Sequence, residues 1–169
     1  MRLLPLLALG CAAGPVGPPG AGSGTVAGAY DGRPFDTVGA AWRIGHPDDP
    51  EQTLVVYVFD QPVDCADLAS PGWDTRIDGA QSVEIKVVGL SPGTYPVTAS
   101  RTAAPGESDV NYTLTATSGT PVEVSADTGT VVLDAVTDGA AGTFDLAFAT
   151  GDTLAGTFDA TACPDGSEP

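Results

Sequence analysis

The chain has 169 residues and carries 22 acidic against 6 basic side chains, a formal charge of −16 at pH 7. That length supports one domain with a real core. That charge excludes nucleic acid and anionic lipid headgroups as partners, because both need a basic footprint.

Residues 1–10 read as a targeting segment. Arg2 supplies the positive end, and Leu3 to Leu9, broken only by Pro5, is an apolar run too short to span a bilayer. It ends in Ala8-Leu9-Gly10-Cys11, which resembles a bacterial lipobox. The resemblance implies a cysteine diacylated on sulphur that becomes the mature N-terminus. Residues 11–24 then read as the lipid-anchor cysteine followed by a Gly/Pro/Ala/Ser spacer that cannot bury a core. Three acyl chains on Cys11 would exceed the marginal hold of one. Ala12 offers no inner-membrane retention signal of the aspartate kind, so an outer-membrane location is expected.

Residues 25–169 read as one domain of short strands. Thr25 to Tyr30 places Val26 and Tyr30 on one face. Val38, Ala40, Trp42 and Ile44 alternate in the next strand. An acidic loop follows with His46, Asp48, Asp49 and Glu51, and Thr53 to Phe59 is almost continuously β-branched and aromatic, the pattern of a central strand. Pro62 to Ala69 is the one helix expected, capped by Asp60 or Gln61 and ended by Pro71-Gly72. Further strands fall at Ser82 to Gly89, Gly93 to Val97, Val110 to Thr117, Val122 to Ala126 and Thr128 to Val136. Pro96 marks the second of these as an edge.

The closing stretch repeats Gly-Thr-Phe-Asp at 142–145 and 156–159. Phe144, Leu146 and Phe148 alternate, so this is a hairpin with one apolar face. A three- or five-residue loop centred on Gly151 sets Phe148 opposite Leu154, Leu146 opposite Gly156 and Phe144 opposite Phe158. It sets Asp145 opposite Thr157 and Thr143 opposite Asp159 on the other face. A two-residue turn would put Phe144 against Asp159, so parity selects the odd-length loop. The fold class expected is all-β: an antiparallel two-sheet β-sandwich of nine or ten strands with one short helix, or alternatively a lipocalin-like closed barrel.

With Cys11 assigned to lipid, Cys65 and Cys163 remain, and an even pair in an exported protein predicts a disulfide. Cys163 is out of phase with Phe158, which predicts a bulge or strand end between them. A zinc site is not expected from two cysteines and one histidine without ligand spacing.

Gly-Thr-Tyr-Pro-Val at 93–97, Gly-Thr-Val at 129–131, Gly-Thr-Phe-Asp-Leu at 142–146, Gly-Asp-Thr-Leu-Ala-Gly-Thr-Phe at 151–158 and the final Cys163 follow in order. In this the chain resembles uncharacterised small bacterial envelope lipoproteins with a C-terminal Gly-x-Phe, then cysteine, β-hairpin. The resemblance covers roughly Val83 to Cys163 and rests on strand and turn residues. It implies an envelope location, a β-fold and a disulfide, and it transfers no catalytic residue.

Chemistry is sparse. A histidine-dependent triad would have to use His46, and no serine lies in a Gly-x-Ser-x-Gly elbow. No catalytic residue and no cofactor are expected. Asp48, Asp49 and Glu51 offer hard oxygen ligands for calcium, but without the full loop spacing. Trp73, in the turn-rich Pro71-Gly72-Trp73-Asp74, is the aromatic expected to contact a ligand. These features point to a lipid-anchored, non-enzymatic structural or binding module of the cell envelope. Its membrane contact is the anchor, and its partner is an envelope protein or polysaccharide. A carrier of a small apolar ligand is the alternative.

Overall fold

The computed structural model describes residues 22–37, 39–45, 52–68, 79–99, 102–115, 121–137 and 139–163. Eleven strands and one helical turn lie within them: β1 (Ser23–Tyr30), β2 (Arg33–Pro34), β3 (Gly39–Gly45), β4 (Thr53–Phe59), α1 (Cys65–Leu68), β5 (Gln81–Val88), β6 (Gly93–Pro96), β7 (Ser108–Thr115), β8 (Pro121–Ser125), β9 (Thr128–Val136), β10 (Gly139–Ala147) and β11 (Thr153–Ala162). The all-β expectation holds. Ser23 and Gly24, placed in the spacer by composition, already pair with Asp159 and Phe158. Gly24 belongs there because a Cβ would come within 2.8 Å of the Thr157 carbonyl oxygen.

The two-sheet sandwich is not what forms. One continuous sheet runs β6-β9-β10-β11-β3-β4-β5-β7-β8, with β1 on β11 and β2 on β1. Its pairings are antiparallel except β11 with β3, where Thr161 and Ala162 lie parallel to Ala41 and Trp42. The sheet curls into a half-barrel around a single core. It does not close along its length as a lipocalin-like barrel would. The β6 end meets the other side of the sheet at the isolated bridge Val97–Ser108 and at the bond from Thr98 N to Ser108 O (2.9 Å). A register shift between Ala141 and Gly142 tightens the twist on one side.

Alternation assigns the faces. Ala40 and Trp42, Leu54, Val56 and Val58, Val83, Ile85 and Val87, Phe144 and Leu146, and Leu154 and Phe158 all point into the concave side. Strand β4 is buried on both faces, which is why its sequence is apolar throughout. Val55, Tyr57 and Phe59 face outward, where Val63, Leu68 and Cys163 cover them in a second, smaller cluster.

The disulfide Cys65–Cys163 is present, with Cα atoms 5.3 Å apart and a sequence separation of 98. Of the bulge or strand end expected before Cys163, the strand end is what forms, at Ala162. β11 pairs without interruption from Thr153 to Thr161. Cys163 is out of phase with Phe158 because the disulfide belongs to the outer cluster, not to the core. The helix is one turn, shorter than expected, and its cap is neither Asp60 nor Gln61. Asp64 Oδ1 accepts from Asp67 N (2.9 Å) and Asp67 Oδ2 accepts from Asp64 N (3.1 Å), a reciprocal capping box. The Asp60 carboxylate is committed elsewhere, to Gln81.

The closing hairpin has the expected faces but a different register. Leu146 faces Leu154, Thr143 faces Thr157, Phe144 faces Gly156 and Gly142 faces Phe158. The loop is centred on Thr150: Gly151 N donates to Phe148 O (2.8 Å) and Phe148 N to Asp152 O (3.0 Å). Gly151, at φ +90°, is the left-handed residue that closes a three-residue loop, so it stands at the loop's end and not at its middle. The shift of two keeps every side chain on its face and changes every partner.

Candidate functional site

Cys11, His46, Asp48, Asp49, Glu51 and Trp73 lie outside the described residues. Within them, polar side chains converge in two places. Neither is marked by a motif in the sequence, because each is assembled by strand pairing across distant segments.

The first is on the outer face. Register places Tyr57 opposite Glu84, Glu84 opposite Asn111 and Asn111 opposite Ser125, a row across β4, β5, β7 and β8. Arg43 on β3 joins it diagonally. Its Nη2 donates to the Tyr57 hydroxyl (3.2 Å), and its guanidinium carbon lies 5.7 Å from the centre of that ring. The Tyr57 hydroxyl donates to Glu84 Oε1 (3.4 Å), which also holds Lys86 Nζ at 3.1 Å. Ser125 Oγ donates to Asn111 Oδ1 (2.8 Å). Burial first, and the Glu84 charge second, push the Tyr57 hydroxyl up to about 12. A phenol held so firmly protonated is a fixed donor, not a base or nucleophile at neutral pH. Glu84 is satisfied by one hydroxyl and one ammonium, so the row reads as a cross-strand brace.

The second lies at one end of the half-barrel. The Tyr112 hydroxyl donates to Gln81 Oε1 (2.8 Å), and Gln81 Nε2 donates to Asp60 Oδ2 (3.0 Å) and to the Pro34 carbonyl oxygen (3.0 Å). Gln81 N donates to Asp60 Oδ1 (2.7 Å). The Tyr30 ring sits 4.6 Å from Tyr112 and edge-on to Phe148 at 5.0 Å. Burial pushes the Asp60 carboxyl above its ordinary range, against the lowering effect of its bonds to Gln81. Burial likewise pushes the Tyr112 hydroxyl up to about 12. The network ties the end of β4 to the start of β5, and fastens β2 through the Pro34 carbonyl oxygen. Among the described residues no three His, Cys, Asp or Glu side chains are placed to hold a metal ion.

Compared with known proteins, the chain matches no family model, no curated protein and no solved structure.

Proposed function

We propose that the chain is an exported lipoprotein, anchored through Cys11 and acting as a non-enzymatic structural or binding module of the cell envelope, at the outer membrane. The observation that carries this reading is the Cys65–Cys163 disulfide, because such bonds persist in oxidising, extracytoplasmic compartments. It joins the lipobox-like Ala8-Leu9-Gly10-Cys11 and the basic Arg2. The non-enzymatic part of the reading rests on the two polar constellations, where the Tyr57 hydroxyl is engaged with Arg43 Nη2 and Glu84, and the Gln81 amide with Tyr112 and Asp60. The membrane is contacted through the anchor alone, and the partner is an envelope protein or polysaccharide. The carrier alternative loses ground to the filled concave face, where Tyr112, Leu54, Ile85, Leu133, Leu146 and Leu154 are fully buried.

Radiolabelled palmitate fed to cells expressing the chain tests the proposal. The wild type takes up label and pellets with membranes, and Cys11→Ser is unlabelled and appears in the soluble fraction. Equal labelling of both, or none of either, overturns it.

A further inference from the structure

We propose that β1 is an exchangeable strand, and that the edge of β11 on which it lies also accepts β1 from a second copy of this chain.

Strand β1 is packed differently from the rest of the sheet. Among the described strands of seven or more residues it alone has no buried residue. Only Val26 and Tyr30 reach the core, and those only in part. What holds β1 along its length is backbone pairing, Ser23–Ala29 against Asp159–Thr153, with one hydroxyl bond between Thr25 and Thr157 (2.9 Å) and the Tyr30 ring against Tyr112 and Phe148 at its end. On its other side the described residues pair with it only at β2, and the preceding Gly22 bridges Ala40. A strand fastened by hydrogen bonds with little side-chain burial opens at low cost. Glycine-rich strands of this kind are also prone to alternate pairing and swapping.

The groove specifies its occupant. A Cβ at position 24 would come within 2.8 Å of the Thr157 carbonyl oxygen, and one at position 28 would collide with the Thr153 carbonyl oxygen. Gly28 also holds φ +112°. From the β11 side, a Cβ at Gly156 would collide with the Thr25 carbonyl oxygen. A strand seated here therefore needs glycine opposite Phe158 and Leu154, four residues apart. A second copy's β1 satisfies this by construction.

The hinge is also present. Asp31 (φ +50°) and Gly32 (φ +69°) form the two-residue turn between β1 and β2. All of residues 31–34 are exposed, and Phe35 is buried immediately after them. Opening that turn swings β1 away while Phe35 stays rooted. A swap exchanges identical pairings, so its thermodynamic cost is confined to the hinge and to association.

The test uses the full chain with Cys11→Ser, so that no native thiol is free beside the Cys65–Cys163 bond. One preparation carries Ala27→Cys and the other Ala155→Cys, positions directly opposed in the β1–β11 register. The two are mixed, incubated at high concentration and treated with a short thiol–thiol cross-linker. Exchange gives a covalent heterodimer. Pairing Ala27→Cys with Thr94→Cys on β6 gives none. Gly32→Val raises the heterodimer yield about tenfold, because valine resists the left-handed turn but not the open hinge, and no atom lies within 4 Å of a Cβ there. No heterodimer from the first mixture, while one chain bearing both Ala27→Cys and Ala155→Cys cross-links internally, overturns the proposal. Equal yield with Thr94→Cys also overturns it.

Discussion

At the scale of single residues, the repeated Gly-Thr-Phe-Asp has a physical explanation. The two copies run antiparallel about Thr143 and Thr157, so the glycine of each faces the phenylalanine of the other. Phe158 Cζ would lie 2.7 Å from a Cβ on Gly142, and Phe144 Cζ 2.7 Å from one on Gly156. Each ring covers the facing glycine, a cross-strand arrangement that restores the burial glycine forfeits. Gly156→Ala is accordingly expected to cost about 1–3 kcal/mol by overpacking, against both the Phe144 ring and the Thr25 carbonyl oxygen, read from urea unfolding midpoints. Adding Phe144→Leu shrinks the facing side chain, so the double variant should lose less than the two single losses summed. Asp60 gives a second expectation. Its folded carboxyl binds a proton more tightly than the unfolded one, so its contribution is fully present below the ordinary carboxylate range and is lost as pH rises through the raised value. Wild type should therefore gain stability relative to Asp60→Asn as pH falls from 7 to 4, measured as the difference between their urea midpoints. The repeat was visible in the sequence, and its reciprocal packing was not. Parity fixes faces, whereas the partner depends on where the left-handed Gly151 sits in the loop.

At the scale of elements, the legible strands were those whose burial is regular. Thr128–Val136 appears with the expected bounds, and Gly93–Pro96 is an edge strand as Pro96 required. The continuous apolar run of β4 correctly marked a strand buried twice. The sequence overstates the helix because Asp60, Gln61 and Pro62 fit a cap and first turn, but Asp60 finds better partners in Gln81 N and Nε2. Neither polar row could be seen in advance: Arg43, Tyr57, Glu84 and Asn111 become neighbours only through three strand registers. The strap from Val63 to Cys65 gives the disulfide its place, clamped over Val55 and Phe59. Replacing Cys65 and Cys163 together by serine should remove roughly 4–5 kcal/mol, the chain-entropy value for a loop of this length. A fall in the thermal midpoint on adding dithiothreitol to wild type, and none in the double variant, checks it.

At the scale of the whole molecule, the outward face of β1, β11, β10 and β6 carries exposed Thr25, Thr157, Thr143 and Thr94, with Asp145 and Asp159 beside them. A barrel sitting in lipid presents an apolar band on its outer face; this side presents hydroxyls and carboxylates instead. The sandwich expected from sequence failed at this level for a simple reason. Alternation records that each strand has an inner face, but not whether the inner faces belong to two sheets or to one that curls. The order of strands adds a consequence in time. β11 lies between β10 on one side and β1 and β3 on the other, and it is the last of the described strands. A chain ending at Asp152 should thus fail to fold, giving a flat thermal transition and rapid proteolysis. A chain emerging N-terminus first, from a ribosome or through a narrow export channel, holds β1 without its partner until residues 153–159 follow. The sheet cannot be completed early, and the polypeptide stays threadable until residues 153–159 have passed.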